Sequence, residues 1–265
     1  MCFQRRVINF DKPEKVNQRL FKFYPIKDYH IAAFQQHILF FSHPSKLNDC
    51  FDTSSRLIEP YKEFKRRVNW SSDMAKVMDN HGICSFIEAA DVKSERMWTF
   101  YADSFNGFAI EFDSELLKSS DYAPIQLRAV KYLNEPLNLD DKHRIYHISD
   151  EDTCLDYLAI DYAKYSDRFF QCIHLVKNKQ MWQEENEWRM IVGNQRGKAK
   201  PHSGGGGLLL TIDPSCYKSL FIGFKVDGTI KLLLRDIANA YGIQSYVITP
   251  EIVDNKWDMS IIPFK

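Results

Sequence analysis

Apolar residues recur along the chain at two spacings, and each spacing predicts a kind of element. Short apolar runs between turn-forming residues predict strands, whereas apolar residues three or four positions apart predict amphipathic helices. The predicted strands are 20–24, 38–42, 83–86, 107–112, 130–132, 187–192, 208–212, 219–223, 245–248 and 259–263. The predicted helices are 29–36, 97–102 and 229–241, with a helical insertion near 56–80 and a helical segment near 151–180.

The order of these elements indicates the fold class. Strands and helices are intermixed without a regular strand–helix–strand alternation, and the chain contains no internal repeat. A central mixed, mostly antiparallel sheet with flanking helices suits this order, so we predict an α+β fold. At 265 residues the chain is short enough for one core, and we expect a single domain over 1–265.

The amino-acid composition limits which cellular compartment and which partners we expect for the protein. With 45% hydrophobic residues the chain has enough apolar surface to fold alone. Its 35 basic and 35 acidic residues cancel, so no global field attracts nucleic acid or an anionic membrane. Six scattered cysteines without a C-x-x-C pair are typical of a reducing compartment. No signal peptide or long apolar run is visible, so we expect a soluble, cytoplasmic protein without a membrane partner.

Several common catalytic motifs are missing. The sequence contains no G-x-G-x-x-G, P-loop, H-E-x-x-H or G-x-S-x-G pattern. His143 and His147 lie four apart without a third ligand nearby, so we expect a solvated pair and no metal site. The four glycines at 204–207, whether native or engineered, have the composition of a flexible linker rather than of a phosphate loop.

A first polar cluster follows the predicted strand 38–42. Asn48, Asp49 and Asp52 place hydrogen-bond acceptors on a turn-rich loop, where binding sites often lie. The same residues would equally serve as turn formers and as the cap of a following helix. Both interpretations stay open at this point.

A second polar cluster runs from residue 177 to residue 189. Glu184, Glu185 and Glu187 crowd between two tryptophans, Trp182 and Trp188, and precede an arginine at position 189. Carboxylates held against large aromatic rings often have shifted pKa values or carry a charge for catalysis. The two-residue period of a strand puts Glu187 on the same face as that arginine, so a structural ion pair is the alternative.

Three sequence motifs occur one after another along the chain and carry a resemblance to a known family. They are F-S-x-P-x-x-L-N-D-x-F-D at Phe41–Asp52, M-W-x-x-Y-A-D-x-x-x-G-x-x-I-E-F-D at Met97–Asp113, and W-x-x-E-x-E-W-R at Trp182–Arg189. On these motifs the sequence resembles the bacterial family known only as domain of unknown function 2971. Cys50 stands where that family usually has proline, and Phe100 where histidine is common. The resemblance implies a family without implying an activity.

A second, weaker resemblance is to ADP-ribosyltransferase-like folds, which surround nicotinamide adenine dinucleotide (NAD) with residues from three strands. The positions that it implies here are Lys22 or Tyr24, Ser85 or Tyr101, and the pair Glu185 and Glu187. In this resemblance Glu187 would stabilise the oxocarbenium ion formed from the ribose, and Glu185 would orient the acceptor. The strand 20–24 lacks the arginine or clear histidine that such folds use, which counts against the resemblance.

These observations lead to one main expectation and two alternatives. The main one is an ADP-ribosyl-type enzyme with NAD as substrate, acting as a toxin or phage-defence effector on a nucleic-acid or protein acceptor, or hydrolysing NAD itself. Its catalytic residues would be Glu187 and Glu185. Its substrate-binding residues would be Lys22, Tyr24, Asn48, Asp49, Trp98, Tyr101, Trp182 and Arg189.

The first alternative is a metal-dependent nuclease that uses Asp49, Asp52 and the glutamates, since carboxylate-rich loops suit hard cations. The second is a non-enzymatic sensing or interaction module, in which Trp98, Trp182 and Trp188 pack a binding cleft and the glutamates form a structural network. The sequence does not indicate an oligomeric state.

Overall fold

The computed structural model describes residues 5–8, 19–49, 51–52, 58–60, 81–118, 126–134, 137–139, 145–149, 154–158, 174–192 and 198–265. The strands in these ranges are β1 Arg5–Ile8, β2 Arg19–Pro25, β3 Ile38–Ser42, β4 Ile58–Pro60, β5 Gly82–Ala89, β6 Gly107–Phe112, β7 Gln126–Ala129, β8 Lys131–Leu133, β9 Leu137–Leu139, β10 Ile145–Ser149, β11 Cys154–Leu158, β12 Val176–Asn178, β13 Glu187–Val192, β14 Lys200–Pro201, β15 Gly207–Thr211, β16 Tyr217–Gly223, β17 Gln244–Val253 and β18 Lys256–Pro263. The α-helices are α1 Asp28–Gln35, α2 Glu95–Tyr101, α3 Ser114–Leu117, α4 Lys179–Trp182 and α5 Gly228–Ala240.

The predicted α+β class is confirmed, because the sheet is mixed and mostly antiparallel and α-helices accompany it. Each strand and each of the three bounded helices predicted from the sequence is present. The part of the chain that the structure describes holds no helix long and apolar enough to cross a membrane. An ADP-ribosyltransferase-like fold stays a prediction.

Two helical predictions need correction. Cys154–Leu158 and Val176–Asn178, within the segment predicted as helix near 151–180, are strands, and so is Ile58–Pro60 within the predicted insertion near 56–80. Short apolar runs fit helical and strand spacing equally well, and pairing with distant strands decided the outcome here. Most of both predicted helical segments lies outside the described residues.

The chain divides into two compact units, each assembled from three stretches of sequence. The first unit is Met1–Lys15, Phe41–Cys84 and Pro124–Leu208. The second unit is Val16–Phe40, Ser85–Ala123 and Leu209–Lys265. The single domain expected from chain length stays a prediction.

The first unit contains a five-stranded sheet and two strand pairs. The sheet has the order β1-β11-β10-β9-β4, with parallel pairing at both ends and antiparallel pairing in between. Strand β12 pairs parallel with β8, and β13 pairs antiparallel with β7. Helix α4 and a 3₁₀ turn at Gln183–Glu185 connect β12 to β13. The second polar cluster of the sequence therefore runs from β12 to β13, and each of these two strands is held by its own partner strand.

In the second unit, β6 is a central strand with β2 and β16 antiparallel on either side. Strand β17 then pairs parallel with β16, and β18 pairs antiparallel with β17. Every residue of β6 is buried, as expected for a strand with neighbours on both edges. Trp98 of α2 has no exposed surface, and its indole N–H donates to the carbonyl of Val92 at 2.8 Å.

Side-chain caps explain where two helices of the second unit, α3 and α5, begin. The carboxylate of Asp227 accepts from the backbone N–H of Thr229 at 2.8 Å at the start of α5. Asp113 accepts from the backbone N–H of Glu115 at 2.9 Å at the start of α3. Such caps satisfy backbone donors that have no partner inside the helix.

Candidate functional site

Five charged side chains form a buried network in the first unit. They are Asp52, Lys177, Glu185, Glu187 and Arg189, and none of them is more than 6% exposed. The loop after β3, strand β12, the 3₁₀ turn and strand β13 each contribute to it. Charged side chains are rarely buried to this degree unless they are paired. We refer to these five residues as the charged network.

Arg189 is the centre of the charged network. Its Nε donates to Oε1 of Glu187 at 2.7 Å and its Nη2 to Oε2 of Glu187 at 3.1 Å. Nη1 and Nη2 donate to the two oxygens of Asp52 at 2.7 and 2.5 Å, and Nη1 also donates to the carbonyl of His174 at 2.7 Å. Burial lowers the pKa of Arg189, but the two carboxylates outweigh it and raise that pKa well above its ordinary value. The guanidinium therefore stays charged and fixes both carboxylates in place.

Lys177 is the second cation of the charged network. Its Nζ donates to Oε2 of Glu185 and to Oε2 of Glu187, each at 3.0 Å. The same nitrogen lies 4.3 Å from the centre of the Trp182 ring, a cation–π contact. Burial lowers the pKa of Lys177, and the neighbouring glutamates outweigh this effect and raise it.

The local backbone explains how two nearby glutamates reach one ammonium group. Asn186, between them, has the left-handed conformation with φ 43° and ψ 50°, which asparagine adopts more readily than most residues. It turns the chain from the 3₁₀ turn into β13. The hydroxyl of Tyr132 accepts from the backbone N–H of Glu187 at 2.8 Å and holds the first residue of that strand.

Several polar side chains beside the charged network carry buried atoms without a hydrogen-bond partner among the described residues. They include His174, at both ring nitrogens, and Asp49, at Oδ2. The His174 ring packs edge-on against His81, with centroids 5.0 Å apart. Because most buried polar atoms in proteins are hydrogen-bonded, such atoms mark places where the polar groups of a ligand could bind.

His174 makes stability depend on pH. Burial, and then the charges of His81 and Arg189, hold the pKa of His174 well below its ordinary value. Below about pH 6.5 the unfolded chain binds a proton there and the folded protein does not, so stability falls as pH falls, by up to about 1.4 kcal/mol per pH unit. We expect His174→Gln to reduce this slope in urea unfolding between pH 7.5 and 5.5. His202→Gln, outside the network, should keep the wild-type slope, and equal slopes for all three proteins would contradict the expectation.

Four of the predicted site residues lie together. Glu185, Glu187 and Arg189 belong to the charged network, and half-buried Trp182 covers its lysine. Sequence reasoning did not select Lys177 or His174. Lys177 lay in the second polar cluster, but no spacing rule distinguished it from its neighbours, and His174 had no signal that could have identified it.

Asn48 and Asp49 belong to the same unit as the charged network, on the loop that leads to Asp52. Asn48 is exposed, whereas Asp49 is buried, and Oδ1 of Asp49 accepts from the backbone N–H of Phe51 at 2.9 Å. One oxygen of Asp49 thus makes the local turn that the sequence suggested. Its other oxygen is the buried atom described above.

The remaining predicted site residues belong to the second unit. Lys22 donates to the carbonyl of Ser85 at 2.9 Å, and the Tyr24 ring stacks on Phe108 with centroids 5.1 Å apart. Trp98 is a core residue. Tyr101 is the last residue of α2. A role of Lys22, Tyr24, Trp98 and Tyr101 in substrate binding stays a prediction.

Part of the chain is similar to a known protein family. Residues 97–190 match the family model described as Protein of unknown function (DUF2971). The matched segment contains the second sequence motif and Glu185, Glu187 and Arg189 of the charged network, whereas Asp52 lies outside it. No curated protein and no solved structure matches the chain. Similarity to the DUF2971 family is therefore supported over this segment, and it brings no activity with it.

Metal binding was part of the nuclease alternative. Among the residues that the structure describes, no group of three or more His, Cys, Asp or Glu side chains is arranged to hold a metal ion. His143 lies outside the described residues, and His147 lies in β10. The nuclease alternative stays a prediction.

Proposed function

We propose that the charged network is the active site of an enzyme that breaks the N-glycosidic bond of NAD and passes the ADP-ribosyl group to water or to a macromolecular acceptor. The observation that carries this proposal is the charge of the buried site. Within the charged network, the three carboxylates of Asp52, Glu185 and Glu187 lie against the two cations Lys177 and Arg189. The excess of one negative charge within this buried group of five residues favours a cationic ligand or transition state.

NAD cleavage suits this charge. The nicotinamide ring of NAD is cationic and leaves as a neutral molecule, while positive charge develops on the ribose. A fixed carboxylate beside the ribose stabilises that charge. Glu187 has its orientation set by Arg189 and Lys177, so we assign it this role. Glu185 would orient the acceptor, and the Trp182 ring would stack on a base.

The free-energy cost of burying the charged network is a second argument for a functional site. Removing charges from water offsets most of the attraction between them, so buried ion pairs stabilise a fold little compared with apolar packing. The unpartnered atoms of His174 and Asp49 add a further cost. A polar ligand that hydrogen-bonds to these atoms would remove this second cost.

Glu187→Gln tests the proposal. The purified protein is incubated with NAD, and released nicotinamide is measured by chromatography. We expect the wild type to release nicotinamide and Glu187→Gln to be about 10²–10³-fold slower, as for loss of one transition-state contact. Glu115→Gln, at a side chain that is 79% exposed, should keep the wild-type rate. A wild-type protein that neither binds nor cleaves NAD would refute the proposed activity.

A non-enzymatic interaction module is a second candidate, and the burial of the glutamates favours it. Glu185 is 2% exposed and Glu187 is 4% exposed, and both already bind Lys177. In this case Glu187→Gln would lower the melting temperature, and neither protein would release nicotinamide. A toxin or phage-defence role would follow from the enzymatic candidate if its acceptor were a macromolecule.

A further inference from the structure

Strands β17 and β18 of the second unit form a long hairpin with a tight turn. Pairing continues without a break from Tyr246 opposite Pro263 to Val253 opposite Lys256. Two residues close the hairpin, Asp254 and Asn255, with φ values of 50° and 58°. Positive φ at both central residues matches the twist of the strands and gives a well-defined two-residue turn.

One face of this hairpin is apolar along its whole length, but only part of that face is covered. The opposed pair Ile248 and Ile261 belongs to the core of the unit, and Met259 is half-buried against the same core. The next pair on this face is Ile252 and Trp257, which are 65% and 91% exposed. An exposed tryptophan beside an exposed isoleucine is typical of an interaction surface.

A second feature of the hairpin is the outer edge of β18. Among the described strands β18 pairs only with β17, so it ends its sheet. Its eight residues contain no proline before Pro263. Natural proteins usually shorten, bend or cover such an edge, because its backbone groups can pair with another strand.

Charges on the opposite face of the hairpin indicate which strand would pair there. Glu251 lies directly opposite Asp258, and two like charges in this position repel. Lys93 lies 3.3 Å from Asp258 and offsets part of this repulsion. Lys256 and Asp258 flank Trp257 on either side with opposite charges. The sequence Lys-Trp-Asp is therefore complementary to itself when two copies run antiparallel.

We propose that this hairpin is a contact between two copies of the chain, in which the two β18 strands pair antiparallel about a two-fold axis at Trp257. On the apolar face, Ile252 and Trp257 of one copy would continue into the same two residues of the other. On the charged face, each Lys256 would lie opposite the Asp258 of the other copy. This closed, symmetric contact covers the exposed pair and the part of the β18 edge next to the turn, at Lys256, Trp257 and Asp258. It does not depend on the proposed active site.

A charge exchange tests the contact. The mass of the protein in solution is measured by analytical ultracentrifugation over a range of concentrations. We expect a concentration-dependent dimer for the wild type. Lys256→Asp should weaken the dimer about tenfold, because the new carboxylate of each copy would then lie opposite Asp258 of the other copy. Trp257→Ser should leave the protein monomeric.

The double variant Lys256→Asp with Asp258→Lys restores opposite charges and should restore the dimer. Lys46→Asp, at an exposed lysine of the first unit, should dimerise like the wild type. Melting temperatures of all variants serve as the check on folding. A monomeric wild type overturns the proposal and leaves the patch to another kind of partner. A dimer that survives Trp257→Ser, or a double variant that stays monomeric, also overturns it.

Discussion

Lys177→Ala is expected to destabilise the protein by about 3–5 kcal/mol, because it removes a buried cation that two buried carboxylates share. Lys177 binds Glu185 and Glu187 at 3.0 Å, and its side chain is 3% exposed. In the variant only Arg189 remains to oppose three acids of the charged network. The change corresponds to a melting temperature lower by about 10 °C for a protein of this size. Urea unfolding followed by circular dichroism measures it.

Lys218→Ala is the matched control. The Nζ of Lys218 also lies 3.0 Å from a carboxylate, that of Asp113, but its side chain is 52% exposed. Exposed ion pairs contribute about 0–1 kcal/mol, so we expect little change. The same lysine-to-alanine substitution is thus compared at the same ion-pair distance in buried and exposed positions. Equal losses of stability would show that burial does not govern the strength of the charged network.

Gly223→Ala is the second substitution with a large expected effect. A Cβ atom at Gly223 would lie 2.1 Å from the backbone oxygen of Phe105, much closer than real contacts allow. That oxygen cannot move easily, because Asp103, Ser104 and Phe105 all have positive φ in a tight turn. We expect a loss of about 3 kcal/mol or more, since the backbone itself must shift. Thermal unfolding measures this loss.

Gly228→Ala provides the comparison for this substitution. Gly228 is the first residue of α5, and a Cβ atom there would meet no other atom within 4 Å. Alanine suits a helix better than glycine does, so we expect unchanged or slightly raised stability. If both alanine variants unfolded at the same temperature, the close approach at Gly223 would not constrain the fold.

Stability measurements alone do not separate the two candidate functions, because Lys177→Ala destabilises the protein in both. The release of nicotinamide separates them, since only an enzyme loses turnover when Glu187 becomes glutamine. Combining the two readouts shows whether the charged network performs chemistry or only supports the fold. Loss of stability with no turnover in the wild type would favour the interaction module.

The hairpin of β17 and β18 illustrates the limits of sequence reasoning. The sequence predicted strands at 245–248 and 259–263. In the structure the first strand continues to Val253, and the second strand already begins at Lys256. Charged residues and Pro250 between the two predicted strands interrupt the apolar runs on which the predicted bounds rest. A polar face on a two-stranded ribbon produces the same pattern, and the two turn residues Asp254 and Asn255 were the available signal.

The sequence by itself determined the local features of this protein. Its two-residue period placed Glu187 and Arg189 on one face of β13, and the hydrogen bond between them at 2.7 Å confirms this. Only the tertiary structure showed that Asp52, which lies 137 residues from Arg189 in the chain, accepts hydrogen bonds from two nitrogens of that arginine. Periodicity and capping depend on neighbouring residues, whereas contacts between distant residues depend on how the strands are arranged in space. For this reason the shared face of Glu187 and Arg189 on β13 was predictable and the full charged network was not.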